Sequence, residues 1–149
     1  MDDQRISVDV RKIELVLVGG SRLSGDLFLQ LQGFHLTGPQ RISEVLNGKE
    51  TFLPIRTESG VKLINLDQVI AVYANTEEEF DPLLALGEEH IVRVTTAVED
   101  PIRARIFVNL PHGHNRAKDF LNQKKRFLLF LLGEQVVYLA RKRILLVED

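Results

Sequence analysis

Apolar positions along this chain come in short runs, either alternating with polar residues or filled completely, and they predict strands rather than long helices. Ile13-Glu14-Leu15-Val16-Leu17-Val18 has the β-branched and aliphatic content of a strand. Gly19-Gly20-Ser21 supplies a hairpin turn, and a second strand is predicted over 22–31, with Gly25 marking a bulge or sharp bend. A loop over 32–40 leads to a short helix at 41–46, where Ile42, Val45 and Leu46 share a core-facing side. Strands follow at 51–57, 61–64 and 69–74, with a turn at 58–60 and a single 3₁₀ turn at 66–68. The order then recurs: strands at 91–98 and 102–110, a helix at 116–121, and strands at 126–132, 135–139 and 143–148. Ahead of all this, residues 1–10 read as a loose tail in which Ile6, Val8 and Val10 alternate as in an edge strand.

The recurrence extends to the residues themselves. RISEVLNGKETFL at 41–53 returns as RAKDFLNQKKRFL at 116–128. Both carry Arg, an acid three positions on, Leu-Asn, and Phe-Leu: Arg41, Glu44, Asn47 and Phe52 in the first stretch, Arg116, Asp119, Asn122 and Phe127 in the second. A shift of 75 maps 41–74 onto 116–149 without a gap, and upstream the shift becomes 79, the difference falling in a loop. These are two copies of one module of about 60 residues, each marginal alone and expected to pack on the other. The predicted fold class is mainly β: two tandem small β-barrels of the SH3 or Sm kind at 11–75 and 91–149, each with a short helix between strands two and three. An acidic linker at 76–90 joins them. The helices are expected to stop at Asn47 and Asn122 in the left-handed conformation, with positive φ at one or both.

Composition narrows the function. The chain has 149 residues, 44% hydrophobic and 27% charged, as in an ordinary globular protein, and no cysteine, which excludes disulfides and thiolate chemistry. No apolar run is long enough for a membrane helix, and the polar, acidic opening MDDQRISVDVRK does not resemble a signal peptide, so a cytoplasmic location is expected. The net charge of -2 hides a division: 1–75 carry -1, 76–90 carry -6 and 91–149 carry +5. Within the linker, Phe80, Leu83, Leu84 and Leu86 are expected to pack on a module, and Pro82–Leu86 fits a short helix capped by Asp81 and stopped by Gly87.

Searches for chemistry return little. There is no phosphate loop, no GxGxxG and no GxSxG elbow. His35, His90, His112 and His114 fall short of the usual three or four metal ligands, and no metal or cofactor is expected. Glu44 and Asp119 read as helical partners of Arg41 and Arg116 rather than as a catalytic pair. The bases of the second module form the one patch of interest: Lys118, Lys124, Lys125 and Arg126 around its helix, and Arg141, Lys142 and Arg143 before its last strand. On a small barrel these groups fit one side and suit nucleic acid, although Phe52, Phe107, Phe120, Phe127 and Phe130 all fall on core-like positions and leave no aromatic set for stacking.

The signature Arg41, Glu44, Leu46-Asn47, Phe52-Leu53, closed by Leu63-Ile64-Asn65, Val69 and Val72, resembles small repeated bacterial domains of unknown function. Both copies carry it, the second with Leu139 and Ala140 for Ile64 and Asn65. The resemblance implies a bacterial origin and a small β-barrel, and no activity. Receptor barrels that resemble PilZ domains carry RxxxR and DxSxxG; Arg103 and Arg105 are spaced otherwise and the second motif is missing. The expected function is a non-enzymatic binding or regulatory protein whose partner is another protein; the alternative is nucleic-acid binding by the basic second barrel. Contact between barrels of different chains is compatible with either.

Overall fold

The first hairpin sets the plan. Gly19 and Gly20, at φ of 100° and 95°, turn β1 (Val8–Leu17) back onto β2 (Arg22–Gln30), a conformation that residues with a Cβ adopt only at a cost. β1 starts earlier than the Ile13–Val18 run predicts, because Val10 and Arg11 pair with Phe28 and Leu27 at the far end of β2. Then come α1 (Ile42–Leu46), β3 (Phe52–Thr57), β4 (Gly60–Asn65), a 3₁₀ turn at Leu66–Gln68 and β5 (Val69–Asn75). A helical turn α2 (Thr76–Glu79) and a 3₁₀ turn at Pro82–Leu86 lead to β6 (Glu88–Thr96) and β7 (Ile102–Val108). The chain closes with α3 (Ala117–Leu121), β8 (Phe127–Leu132), β9 (Gln135–Ala140), a 3₁₀ turn at Arg141–Arg143 and β10 (Ile144–Glu148). The structure, a computed structural model, describes residues 8–30, 40–98, 100–111, 113 and 115–149. All of the loop predicted at 32–40 except residue 40, with His35, His112 and His114 and the opening residues with Ile6, lies outside them.

The ten strands form one antiparallel sheet in the order β10-β6-β7-β8-β9-β5-β1-β2-β3-β4. Two separate closed barrels were expected; the sheet is instead continuous and open, with β10 and β4 at its ends. The reason lies in β5. It runs beside β1 and gives its other edge to β9, through Ala71↔Leu139 to Asn75↔Gln135, rather than to β4 of its own half. Each half has the same internal order, last strand beside first, then second, third and fourth.

Two apolar clusters form the core, and each draws on both halves. One gathers Leu15, Leu27, Ile42, Leu46 and Ile55 with Phe127, Val136 and Tyr138 from the far half. The other gathers Val92, Ile106, Phe120, Phe130 and Leu139 with Val16, Ile70 and Ala71. Alternation along β9 explains the sharing, since Val136, Tyr138 and Ala140 face one cluster and Val137 and Leu139 the other. Each fully buried large side chain contributes roughly 1.5–3 kcal/mol, so the seam between the halves carries a substantial part of the stability.

Gly25, expected to mark a bulge or sharp bend, instead keeps the regular β1–β2 register opposite Ile13 and is a glycine of close approach to β3. A Cβ there would lie 2.6 Å from the Arg56 carbonyl oxygen and 2.6 Å from Ile55 Cγ2. Ile70 is bulged out of the β1–β5 register, and Leu145 out of the β6–β10 register.

Several expectations need correction. Asn47 and Asn122 have φ of -98° and -93°, so neither is a left-handed cap. Asn47 is held for its side chain, as shown below. Phe52 is exposed, unlike the buried Phe120, Phe127 and Phe130, because β3 has one face open near the end of the sheet whereas β8 is covered on both. The acidic segment is not simply a solvated linker. Glu79 is buried, Phe80 stacks at a tilt on Phe107 with 6.0 Å between centroids, and Glu88 to His90 are already strand. Leu83 and Leu86 remain exposed, although Pro82–Leu86 does begin on an Asp81 side chain that accepts from the Leu83 N–H.

Candidate functional site

The densest polar chemistry lies at the seam. Glu79 is packed among apolar residues because α2 follows directly on β5 and is carried over the β5–β9 pairing. Its carboxylate accepts from the Ile42 N–H at 2.9 and 3.2 Å and from the Tyr138 hydroxyl at 2.5 Å. Burial pushes its pKa up, opposed by those hydrogen bonds and by the Arg11 and Arg41 charges. The Tyr138 hydroxyl is pushed up in turn, first by burial and then by the Glu79 charge. Arg11, itself buried, lies among three acids: it pairs with Asp9, and its Nε is 3.4 Å from Glu78 and 3.9 Å from Glu79. Beside this group is a cavity of about 280 Å³ lined by Arg41, Asn47, Glu79, Phe107, Lys125 and Tyr138 among others. That is at the bottom of the range of ligand pockets. The Glu79 oxygens are already engaged by donors, so the arrangement serves to hold α1, α2 and β9 together.

The repeated signature resolves into unequal roles. Asn47 reaches across the seam, where its Oδ1 accepts from the Phe127 N–H at 2.8 Å and its Nδ2 donates to the Phe127 carbonyl at 3.2 Å. Asn122, at the matching place, donates to the Lys118 carbonyl in its own helix at 2.8 Å and is exposed. Arg116 and Asp119 make the expected pair at 3.2 Å, while Arg41 extends to Asp81 at 3.7 Å and Glu44 sits half-buried in the first turn of α1. Sequence reasoning found these residues but missed Arg11, Glu79 and Tyr138. The available signal was Tyr138 itself, a hydroxyl at a position that the repeat fills with Leu63.

The basic residues divide. Arg141 Nε donates to the Lys125 carbonyl at 3.3 Å, which draws the two predicted groups together. Three of the seven are committed to the first half: Arg126 donates to the Glu50 carbonyl at 2.9 Å, Arg143 donates to the Asp67 carbonyl, and Lys142 Nζ is 3.6 Å from Asp67 Oδ1. Lys118, Lys124 and Lys125 are exposed. The acids of 76–90 face other bases, Arg11, Arg41 and Arg105. His90 is occupied by the Asn115 carbonyl at 2.9 Å, and among the described residues no three metal-ligating side chains cluster.

The ends of the sheet carry the most exposed apolar surface. Val61 and Leu63 stand out from β4, with Phe52 beside them on β3, and Leu145 and Leu146 stand out from β10. Among the described residues neither strand has a second neighbour in the sheet. No helix among the described residues is long and apolar enough to cross a membrane. The chain is therefore a mainly β protein whose sheet, among the described residues, ends in two open strand edges. Comparison with protein families, with curated proteins and with solved structures gave no match.

Proposed function

We propose that this is a non-enzymatic binding protein, built of two copies of a five-strand SH3- or Sm-like module, that acts by protein–protein interaction through the edges of its sheet. The observation that carries the reading is the pair of apolar edge strands β4 and β10, which have no second neighbour among the described residues. An exposed strand edge offers main-chain donors and acceptors to another strand, and soluble proteins normally blunt such edges with charge, proline or cover. Here the side chains flanking the edges are Val61, Leu63, Leu145 and Leu146. The test is capture from a bacterial lysate on immobilised protein, comparing wild type with Leu63→Lys and Leu146→Lys. Proteins retained by wild type and lost by an edge variant are expected; identical profiles would sink the reading.

One observation favours a second reading. Lys118, Lys124, Lys125 and Arg141 are all exposed, and the Arg141 guanidinium donates to the Lys125 carbonyl. Exposed bases of this kind suit a phosphate backbone. Fluorescence polarisation with short RNA and DNA at low salt tests it. Binding that falls steeply with salt and is abolished by Lys124→Glu with Lys125→Glu would establish it.

A further inference from the structure

We infer that the two open edges are the two halves of one joint, and that the chain associates head to tail with further copies of itself, β4 of one molecule pairing antiparallel with β10 of the next. This rests on the protein-interaction reading and names its partner. The joint already exists once within the chain, as β5 against β9. A shift of 75 residues carries β5 (Val69–Asn75) onto β10 (Ile144–Glu148) and β4 (Gly60–Asn65) onto β9 (Gln135–Ala140). Each half therefore owns both sides of the joint, and the chain uses only one of each.

The burial of matching residues follows this division. At the internal joint Phe127 is 1% exposed, Val136 0%, Tyr138 1% and Ala71 0%. At the same positions on the open edges Phe52 is 54% exposed, Val61 60%, Leu63 69% and Leu146 51%. The apolar residues at the edges are those that the internal joint buries.

Register and charge agree. The internal pairs Ala71↔Leu139, Val72↔Tyr138 and Tyr73↔Val137 become, between molecules, Leu146 with Ile64, Val147 with Leu63 and Glu148 with Lys62. The last is an opposite-charge pair placed directly across the strands, the favourable arrangement in a ladder.

A receiving groove is also present. His90, Ala117, Leu121, Asn122 and Val147 are among the residues lining a depression of about 500 Å³ on the second half. Four of them correspond to Ile42, Leu46, Asn47 and Val72, the last two of which meet Phe127 and Tyr138 at the internal joint. Phe52 and Leu63 of the next copy fit that place, with Asn122 turned to the Phe52 main chain as Asn47 is to Phe127. Leu63 brings no hydroxyl, so no counterpart of Glu79 is needed. Because the two surfaces differ, the contact propagates until it closes on itself or continues as a filament.

The experiment is sedimentation velocity on the full chain from about 0.1 to about 50 µM, a range that brackets micromolar association. Wild type is expected to form concentration-dependent assemblies that Leu63→Lys abolishes. Lys62→Glu and Glu148→Lys, both on exposed side chains that leave the fold intact, should each weaken association about tenfold, and an equal mixture of the two should restore it because each edge again meets an opposite charge. A wild type monomeric throughout, or assemblies indifferent to all three variants, would overturn the inference. The two readings fail separately. A monomer that still loses a lysate partner on Leu63→Lys removes self-pairing alone, whereas a monomer with no edge-dependent partner removes both.

Discussion

Replacing Asn47 with alanine should destabilise the protein far more than the same change at Asn122, although the two occupy matching places in the sequence. Asn47 accepts from the Phe127 N–H at 2.8 Å and donates to the Phe127 carbonyl at 3.2 Å, and Phe127 is 1% exposed. Each bond is worth roughly 0.5–1.5 kcal/mol net, and the Phe127 N–H stripped of its acceptor in a buried setting adds a desolvation cost, for a total of about 2–3 kcal/mol. Asn122 gives one bond to an exposed carbonyl in its own helix, and its loss should cost about 0.5 kcal/mol. Both asparagines have ordinary negative φ, so alanine relieves no backbone strain at either and the contrast isolates the side chain. Urea unfolding followed by circular dichroism measures it, at a concentration low enough that association does not contribute. An unchanged slope with a lowered midpoint is the expected form. If the two variants differ by less than about 0.5 kcal/mol, the seam does not depend on Asn47 and the assignment of its role is wrong.

Four further outcomes follow from the same geometry. Tyr138→Phe should cost about 1–2 kcal/mol in the same assay, since it removes the 2.5 Å bond to Glu79 while keeping the ring packed. Glu79 should give stability a pH dependence opposite to the usual carboxylate. Its pKa is raised on folding above the ordinary 4.5, so the folded chain holds that proton more tightly. The associated stability is present below pH 4.5 and lost as pH rises through the folded pKa, and the slope should flatten in Glu79→Gln. Asp9 acts the other way: its hydrogen bond from Arg11 lowers its pKa below 3.8, and that contribution is lost as pH falls through the folded value. Gly25→Ala should destabilise by roughly 1–3 kcal/mol, because the added carbon meets a main-chain oxygen at 2.6 Å that no rotamer can move, and normal stability in that variant would show that β2 and β3 separate easily.

The elements were legible because their signals are local. Two glycines at a hairpin, an Asp-Pro before a 3₁₀ turn and alternating apolar runs placed the described strands, apart from the early start of β1, and two of the three short helices to within a few residues. The partner of a strand edge is not a local matter. Val69–Asn75 is equally apolar whether it pairs with β4 or with β9, and only the three-dimensional placement shows that β9 takes it. For the same reason Phe52 and Phe127 looked alike. Both begin a Phe-Leu strand, and which one is buried depends on what lies beyond the edge. Glu79 was hidden by its company in a Glu-Glu-Glu run, where composition suggests solvent and the β5 trajectory dictates burial. Three of the seven bases also reach carbonyls and an acid of the first half, contacts between distant stretches that sequence spacing does not show.

The sharing of side chains across the seam also bears on the order in which the molecule is made. A ribosome delivers Ile42, Leu46 and Val72 well before Phe127, Val136 and Tyr138, yet all six belong to one cluster. The early half emerges with the flank of β5 bare, and β9 covers it only after some sixty intervening residues have been added. Loop closure of that length is slow compared with hairpin formation, and an uncovered apolar strand is at risk of wrong pairing meanwhile. Newly synthesised chains thus pass through a stage in which β5 is open to any strand of the right character, including the β9 of a neighbouring nascent chain. Exchange of halves between two molecules on one polysome is the characteristic error such a design invites.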